Sequence, residues 1–261
     1  MRTVLICSAG SRLNREVMPA FLASTFELAG IVEIEDRGGH ALSRLRFEWK
    51  RSGLRVVDVL AFRIYYELFL SGREGLDDYV AEKLAALPPA PDVPVLKTQD
   101  ANSPATRMFL ESLAPDLALA ACKSILRPEI FGVPRYGTFV VHPGICPEYR
   151  NAHGCFWALS RRDLEHVGAT LLRIDEGVDT GPVYAYYRAP YDERAESHVV
   201  IQRHMVYENL EAIGRDLKAV VDGRLQPIDV SGRESVAWGQ PHLTDYLRWK
   251  RAARAGDGAT G

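Results

Sequence analysis

Residues 3–34 constrain the fold most. Thr3–Cys7 is a short apolar run that ends at Ser8-Ala9-Gly10-Ser11, a turn of small residues. From about Asn14 the apolar positions Val17, Met18, Phe21 and Leu22 recur at helical spacing, and Phe26–Ile34 is a second apolar strand. A strand, a helical crossover and another strand join two parallel neighbours, since parallel pairing needs a long return connection. Further strands are predicted at Val95–Lys97, Leu117–Ala121, Thr138–Val141, Thr170–Ile174 and Val183–Arg188. Helices are predicted over Ala105–Leu113, over Cys155–Ser160 and in one long segment from about Glu196 to Val221, closed by Asp222-Gly223. The fold class is α/β, with a doubly wound, mostly parallel Rossmann-like sheet. Such a sheet binds ligands beyond the carboxyl ends of its strands, here at the turns after Cys7, Ala121 and Val141.

Two segments interrupt this alternation. Residues 36–90 form a basic, aromatic-rich insert in which Leu42, Leu45, Trp49, Leu54, Val57, Leu60 and Ile64 repeat with helical spacing. That spacing predicts a helical pair packed against the core or a second subunit. The cations Arg44, Arg46, Lys50, Arg51 and Arg55 also suit an anionic ligand or an acidic surface. The main domain is expected over residues 1–228. Residues 229–261 are expected to be a partly flexible extension, because they end in the polar RAARAGDGATG.

Composition narrows the function classes. Apolar residues make up 47% and charged residues 25%, and the formal net charge is −2, so nothing biases the chain as a whole toward nucleic acid or a membrane surface. There is no apolar run of about 20 residues, and the start MRTVLICSAG reads as a strand and turn. A cytoplasmic location is therefore expected. The four cysteines, Cys7, Cys122, Cys146 and Cys155, lack CxxC spacing, so reduced thiols and no metal site are expected.

The chemistry concentrates in residues 137–182. His142 follows a β-branched strand and precedes a proline, and Asp175-Glu176-Gly177-Val178-Asp179-Thr180-Gly181-Pro182 lies about one helix and one strand later. A histidine held by a carboxylate can shuttle a proton at neutral pH. A His-Pro turn is also a common structural device and an acidic turn a common solvated loop, so spacing alone leaves both readings open.

Several motifs in order add a resemblance. Pro115-Asp116-Leu117, Ser124-Ile125-Leu126-Arg127-Pro128, His142-Pro143-Gly144-Ile145-Cys146-Pro147-Glu148-Tyr149-Arg150, Gly168-Ala169-Thr170 and Val178-Asp179-Thr180-Gly181-Pro182 follow one another, and Asp222-Gly223-Arg224-Leu225 ends the last core helix. Residues 115–225 resemble the catalytic region of the folate-dependent formyltransferases, which act on glycinamide ribonucleotide, methionyl-tRNA or sugar amines. The resemblance implies that N10-formyltetrahydrofolate donates a formyl group to an amine without a metal. It implies that His142 moves protons and that Asp179 orients it. It further implies that Ile125, Leu126, Asp175, Glu176 and Val178 grip the pterin. Gly10, Ser11 and Arg12 of the first turn, with Tyr149, Arg150 and His153, are the acceptor-side candidates.

One residue departs from that pattern. The family's N-x-H motif carries an asparagine whose amide stabilises the oxyanion, and Val140 stands there in Phe139-Val140-Val141-His142. Loss of one such donor typically slows an enzyme by roughly 10²–10³-fold. Lys123, Asn151 and His153 are candidate substitutes. Altered chemistry on the same fold (hydrolysis, cyclisation or another acyl or carbamoyl transfer) and a non-catalytic binding protein are the alternatives. Members directed to tRNA carry a further C-terminal barrel of about 100 residues, and only 33 residues follow Ile228 here. The expected partner is thus a small-molecule amine, such as an amino sugar or a specialised metabolite, with no nucleic acid, and a homodimer is compatible with the insert.

Overall fold

The computed structural model describes residues 1–35 and 53–255. Strand β1 (Arg2–Ser8) leads through a π-helical turn, Leu13–Val17, into α1 (Met18–Thr25) and then β2 (Glu27–Ile34). After the insert come β3 (Val95–Thr98), a helix at Pro104–Leu113, β4 (Leu117–Ala121), a short helix at Pro128–Phe131 and β5 (Thr138–His142). A two-residue strand β6 (Arg150–Asn151) precedes a helix at Gly154–Ser160, and β7 (Ala169–Arg173) and β8 (Val183–Tyr187) complete the main sheet. The order is β3-β2-β1-β4-β5-β7-β8; the first five strands are parallel, and β7 pairs antiparallel with both β5 and β8. The expected doubly wound sheet is therefore present, with an antiparallel edge.

Apolar residues on both faces of each central strand explain why helices cover both. Phe21, Leu22, Phe156, Met205, Ile213 and Leu217 bury one face together with Leu5, Leu119 and Phe139. Leu110, Leu126 and Ile130 bury the other against Val4, Ile6, Ala118 and Ala120. Ser103 caps its helix by accepting the Thr106 N–H at 3.2 Å.

Three expectations are corrected. The long helix at 196–221 is two helices, His198–Tyr207 and Leu210–Val221. Asn209 lies between them at φ −108°, ψ 13°, and its amide donates to the carbonyls of Arg188 and Met205, competing with the helix ladder. The predicted end at Asp222-Gly223 is found, with Gly223 in the left-handed region at φ 71°.

The insert contains the predicted helical pair in its described part, Val56–Phe69 and Leu76–Ala85. The first of these buries Val56, Val59 and Phe62, whereas Val57 and Ile64 of the predicted stripe are 65% and 62% exposed. The apolar repeat is thus one residue out of phase with the face that packs. Arg55 is exposed; Leu42, Leu45, Trp49, Arg44, Arg46, Lys50 and Arg51 lie outside the described residues.

The expected C-terminal appendage is instead part of the core. Its segment forms strand β9 (Ala237–Trp238) beside β6 and a helix, Leu243–Ala255. Tyr246 packs its ring 5.3 Å from Phe62, and Trp249 is fully buried. Lys250 donates to the carbonyls of Glu193, Arg194 and Glu196 at 2.7, 3.2 and 2.5 Å. The polar look of RAARA misled because a lysine and an arginine flank one buried aromatic stripe. Replacing Trp249 by alanine should cost about 3–5 kcal/mol; a loss under about 1 kcal/mol in urea unfolding would show the helix to be an appendage after all.

Candidate active site

The site is built where β5 ends. Gly144 has no room for a side chain: a Cβ there would sit 2.4 Å from the Tyr149 carbonyl oxygen and 2.8 Å from His142 Nε2. Gly154 is equally confined, since its Cβ would meet the Gly144 Cα at 2.6 Å. Thr170 of β7 donates to the Gly144 carbonyl at 2.6 Å and accepts the Cys146 N–H at 3.0 Å. These contacts fold residues 143–149 back on the strand end, so that His142 Nε2 lies 2.9 Å from the Tyr149 carbonyl oxygen. A carbonyl only accepts, so Nε2 carries a proton, and Nδ1 is the nitrogen that gains or loses one. Nδ1 lies 3.4 Å from Asp179 Oδ2, an ion-pair distance longer than an ordinary hydrogen bond. His142 is 5% exposed.

The predicted pair therefore meets. Asp179 adopts φ 52° and accepts the Asn151 backbone N–H at 2.8 Å. Asp175 accepts from the Gly177 N–H at 3.0 Å and the Thr180 hydroxyl at 2.7 Å, which shapes the turn. Only glycine fits at 181, where a Cβ would lie 1.8 Å from the Arg173 carbonyl oxygen. Glu176 is exposed and Val178 is 37% exposed. Across the cleft edge Ile125 is 66% exposed, whereas Leu126 is buried in the core and its side chain is unavailable. Asn102 holds this loop, donating to the Ile125 carbonyl at 2.9 Å and accepting the Arg127 N–H at 2.8 Å.

Other candidates are reassigned. The Asn151 side chain donates to the Trp238 carbonyl at 2.5 Å, so its amide is held by β9 while its backbone serves Asp179. Tyr149 is 3% exposed, donates its hydroxyl to Asp163 at 2.7 Å and stacks on Trp238, a core role in place of the acceptor contact expected. Arg150 ties the two loops together, donating to the Val178 carbonyl at 2.7 Å and to Ser235 at 2.9 Å. Arg12 is bound by Glu16 at 2.8 and 2.9 Å and by Asp77 at 2.5 Å, so it offers no open cation for a phosphate. Ser11 accepts the Asn14 N–H at 3.3 Å, and Gly10 is exposed. Lys123 is exposed beyond β4.

Val140 packs against the buried cluster of Cys146, Leu172 and Val183, against which Tyr186 and Val230 also pack. An apolar wall thus stands where an amide donor is expected. Tyr186 donates to the Cys146 carbonyl at 2.8 Å, and Arg233 braces it while pairing with Glu148 at 2.8 and 2.7 Å. Burial pushes the Cys122 thiol up to about 11 and raises that of Cys146 further, so neither is a ready nucleophile.

Sequence reasoning missed three supporting residues. Asn102 reads as a loop asparagine. Asn14 donates to the Ala121 carbonyl at 2.7 Å and accepts from the Tyr207 hydroxyl at 2.6 Å, anchoring the first helix to the end of β4. His198 is 1% exposed, 5.4 Å ring to ring from His153. Both histidines leave Nδ1 buried without a partner. Burial, with the charges of Lys123 and Arg63 nearby, pushes His153 down to about 4, and burial holds His198 well below the usual imidazole range. Among the described residues no group of three or more His, Cys, Asp or Glu could hold a metal ion, and no helix is long and apolar enough to cross a membrane. A cavity of about 420 Å³ lined by Met1, Phe26, Asp116, Tyr136 and Lys218 lies at the opposite strand ends and holds no comparable acid–base pair.

Comparison with known proteins agrees with this geometry. A family model described as formyl transferase matches residues 77–213, just over half of the chain. The methionyl-tRNA formyltransferase of Sorangium cellulosum is 32% identical over 170 residues, covering 62% of this chain and 52% of that protein. That of Chlorobium luteolum is 32% identical over 165 residues, covering 61% and 50%. The chain thus spans about half the length of the curated relatives it matches. A sugar N-formyltransferase from Shewanella sp. superposes with a TM-score of 0.55 at 13% identity, over 95% of this chain and 88% of that one. Glycinamide ribonucleotide transformylase 1 of Symbiobacterium toebii gives 0.52 at 15% identity, over 87% and 93%; both show the shared fold.

The two buried histidines set an acid limit. Unfolded, each titrates near 6.5; folded, His153 does so only near 4, and burial holds His198 well below the usual imidazole range. The unfolded chain therefore binds more protons below pH 6.5, and stability that is full above that value falls as the pH drops toward 4. His198→Phe, which suits neighbours Phe62, Tyr66, Phe156 and Tyr246, should lose less stability than wild type between pH 7 and 5 in urea titrations. Equal acid sensitivity in the two proteins would contradict the assignment.

Proposed function

The chain belongs to the formyl transferase family, and from that premise we propose that it moves a formyl group from N10-formyltetrahydrofolate to the amine of a small molecule. The observation that carries this reading is His142, pinned through Nε2 to a backbone carbonyl with Nδ1 beside Asp179. The exposed apolar side chains of Ile125 and Val178, on two loops at the carboxyl edge of the sheet, suit the ring of the folate donor. The Asn102 clamp fixes the backbone edges of the first loop for its polar groups.

In the proposed reaction the amine nitrogen bonds to the formyl carbon and the carbonyl pair moves to oxygen. His142 Nδ1 takes the proton that the attacking nitrogen must shed, and Asp179 stabilises the imidazolium so formed. His142 then returns the proton to N10 as the carbon–N10 bond breaks, releasing tetrahydrofolate and the formamide. The acceptor is a small amine, because the chain has a net charge of −2 and no bias toward a polyanion.

Val140 supports a second reading, a changed acyl transfer on the same fold, because its surroundings are apolar. Release of tetrahydrofolate on incubation with N10-formyltetrahydrofolate and a panel of amino sugars tests the first. His142→Ala should abolish release, and Asp179→Asn should lower kcat by at least about 10²-fold; an active His142→Ala enzyme would end the proposal. Val140→Asn should raise turnover, by no more than the roughly 10²–10³-fold that one oxyanion donor contributes. A collapse of turnover in a folded Val140→Asn protein would favour the second reading.

A further inference from the structure

Four successive carbonyls after β5 each accept a hydrogen bond from a different part of the chain. Cys146 accepts from the Tyr186 hydroxyl at 2.8 Å and Pro147 from the Val236 N–H at 3.1 Å. Glu148 accepts from the Trp238 indole at 2.8 Å, and Tyr149 from His142 Nε2 at 2.9 Å. Each residue has only two soft backbone torsions, so anchoring the first three carbonyls leaves the fourth little freedom. Val236 and Trp238 lie beyond the matched region 77–213. Tyr186 lies within it, in one row with the histidine: His142 of β5 pairs with Thr170 of β7, which pairs with Tyr186 of β8.

Arg233, also beyond the matched region, aims the Tyr186 hydroxyl. Its Nε and Nη2 donate to the two Glu148 carboxylate oxygens at 2.8 and 2.7 Å, and Nη1 donates to the Tyr186 oxygen at 2.5 Å. The guanidinium carbon lies 5.3 Å from the centre of the Tyr186 ring. A phenol has one proton, and with its oxygen accepting from Arg233 that proton goes to the Cys146 carbonyl. The fork on Glu148 fixes the plane of the side chain directly before Tyr149. A fully exposed ion pair would hold little. Here the arginine side chain is 30% exposed and the glutamate 18%, and all three guanidinium nitrogens are engaged. One planar group thus grips both ends of residues 146–148, the segment that delivers the Tyr149 carbonyl to His142.

We propose that Arg233 is a positioning residue: through Tyr186 and Glu148 it holds the Tyr149 carbonyl that keeps the resident proton on His142 Nε2. Arg233 itself touches no reacting atom. Its effect on the rate rests on the formyl-transfer reading, whereas its effect on the His142 ring does not. Lysine cannot replace it, since one ammonium on a flexible stem does not present a planar fork and a third donor together. The orientation of the catalytic histidine then depends on a side chain that the matched family region does not include.

Nitrogen NMR of His142 and steady-state kinetics on the full chain test this together, in Arg233→Ala, Arg233→Lys and Tyr186→Phe. With the carbonyl displaced, the neutral ring is drawn to place its proton on Nδ1, toward Asp179. Both His142 nitrogens should then take shifts between those of a protonated and a bare nitrogen. In the two Arg233 variants kcat for tetrahydrofolate release should fall roughly 10- to 100-fold, as misplacement from outside the chemistry does. KM for the folate donor should stay within about twofold, because binding of the ground state is untouched. Tyr186→Phe removes one oxygen and keeps the ring, so it should move both readouts the same way by less, and it decides the matter if Arg233→Ala does not fold. Arg215→Ala, which deletes an exposed pair with Glu211, should change neither readout. Wild-type His142 shifts in a folded Arg233→Ala, Arg233→Lys or Tyr186→Phe protein would overturn the assignment, and so would a raised KM with kcat unchanged. A wild-type protein that releases no tetrahydrofolate with any amine would sink the formyl-transfer reading instead, and the His142 shifts would still decide the role of Arg233.

Discussion

The bond between His142 Nε2 and the Tyr149 carbonyl is the contact on which the site depends. It fixes which nitrogen carries the resident proton, and so which one is available for chemistry beside Asp179. The bond exists because the chain reverses within seven residues after β5. That reversal requires two glycines in van der Waals contact, at 144 and 154, and a threonine hydroxyl bridging the loop from β7. A side chain at either glycine would push the Tyr149 carbonyl away and free the ring to rotate. The conformational demand thus sits on residues with no chemistry of their own.

The second support comes from the far end of the chain. Trp238 stacks on Tyr149 and on Trp157, receives the Asn151 amide, and donates its indole N–H to the Glu148 carbonyl at 2.8 Å. Asn151 in turn presents its backbone N–H to Asp179. The C-terminal segment therefore holds the loop that holds the acid. It also supplies Val230 to the apolar cluster on which Val140 packs. The residue that departs from the family pattern and the segment outside the matched region meet in one place, which ties the two departures together physically.

The parallel sheet and its strands were legible in the sequence because they rest on local pattern, apolar runs and small-residue turns; the pairing of His142 with Asp179 came from the motif resemblance, since spacing alone left it open. What was illegible rests on contacts between distant residues. Asn151 looked like a free amide donor until Trp238, 87 residues away, claimed it. Arg12 looked like a phosphate ligand until Asp77, 65 residues on, neutralised it. Tyr149 sat in a motif that suggested substrate contact, yet its hydroxyl lies on Asp163 and its ring in the core. The helix Leu243–Ala255 was hidden by its own charges, because its buried stripe of Tyr246, Trp249 and Ala253 is narrow. The single helix expected over 196–221 broke at an asparagine whose side chain found two carbonyls that no local rule indicates.

The central claim is that a backbone carbonyl sets the tautomer of His142 and leaves Nδ1 to exchange protons. Nitrogen NMR of the protein labelled at histidine side-chain nitrogens tests this most directly, with a His142→Gln variant to assign the signals. Above the pH at which the ring loses its second proton, Nε2 should show the shift of a protonated, hydrogen-bonded nitrogen and Nδ1 that of a bare one. On lowering the pH, Nδ1 should be the nitrogen that moves. A neutral ring protonated at Nδ1 with a bare Nε2 would contradict the account, because the Tyr149 carbonyl would then be holding nothing.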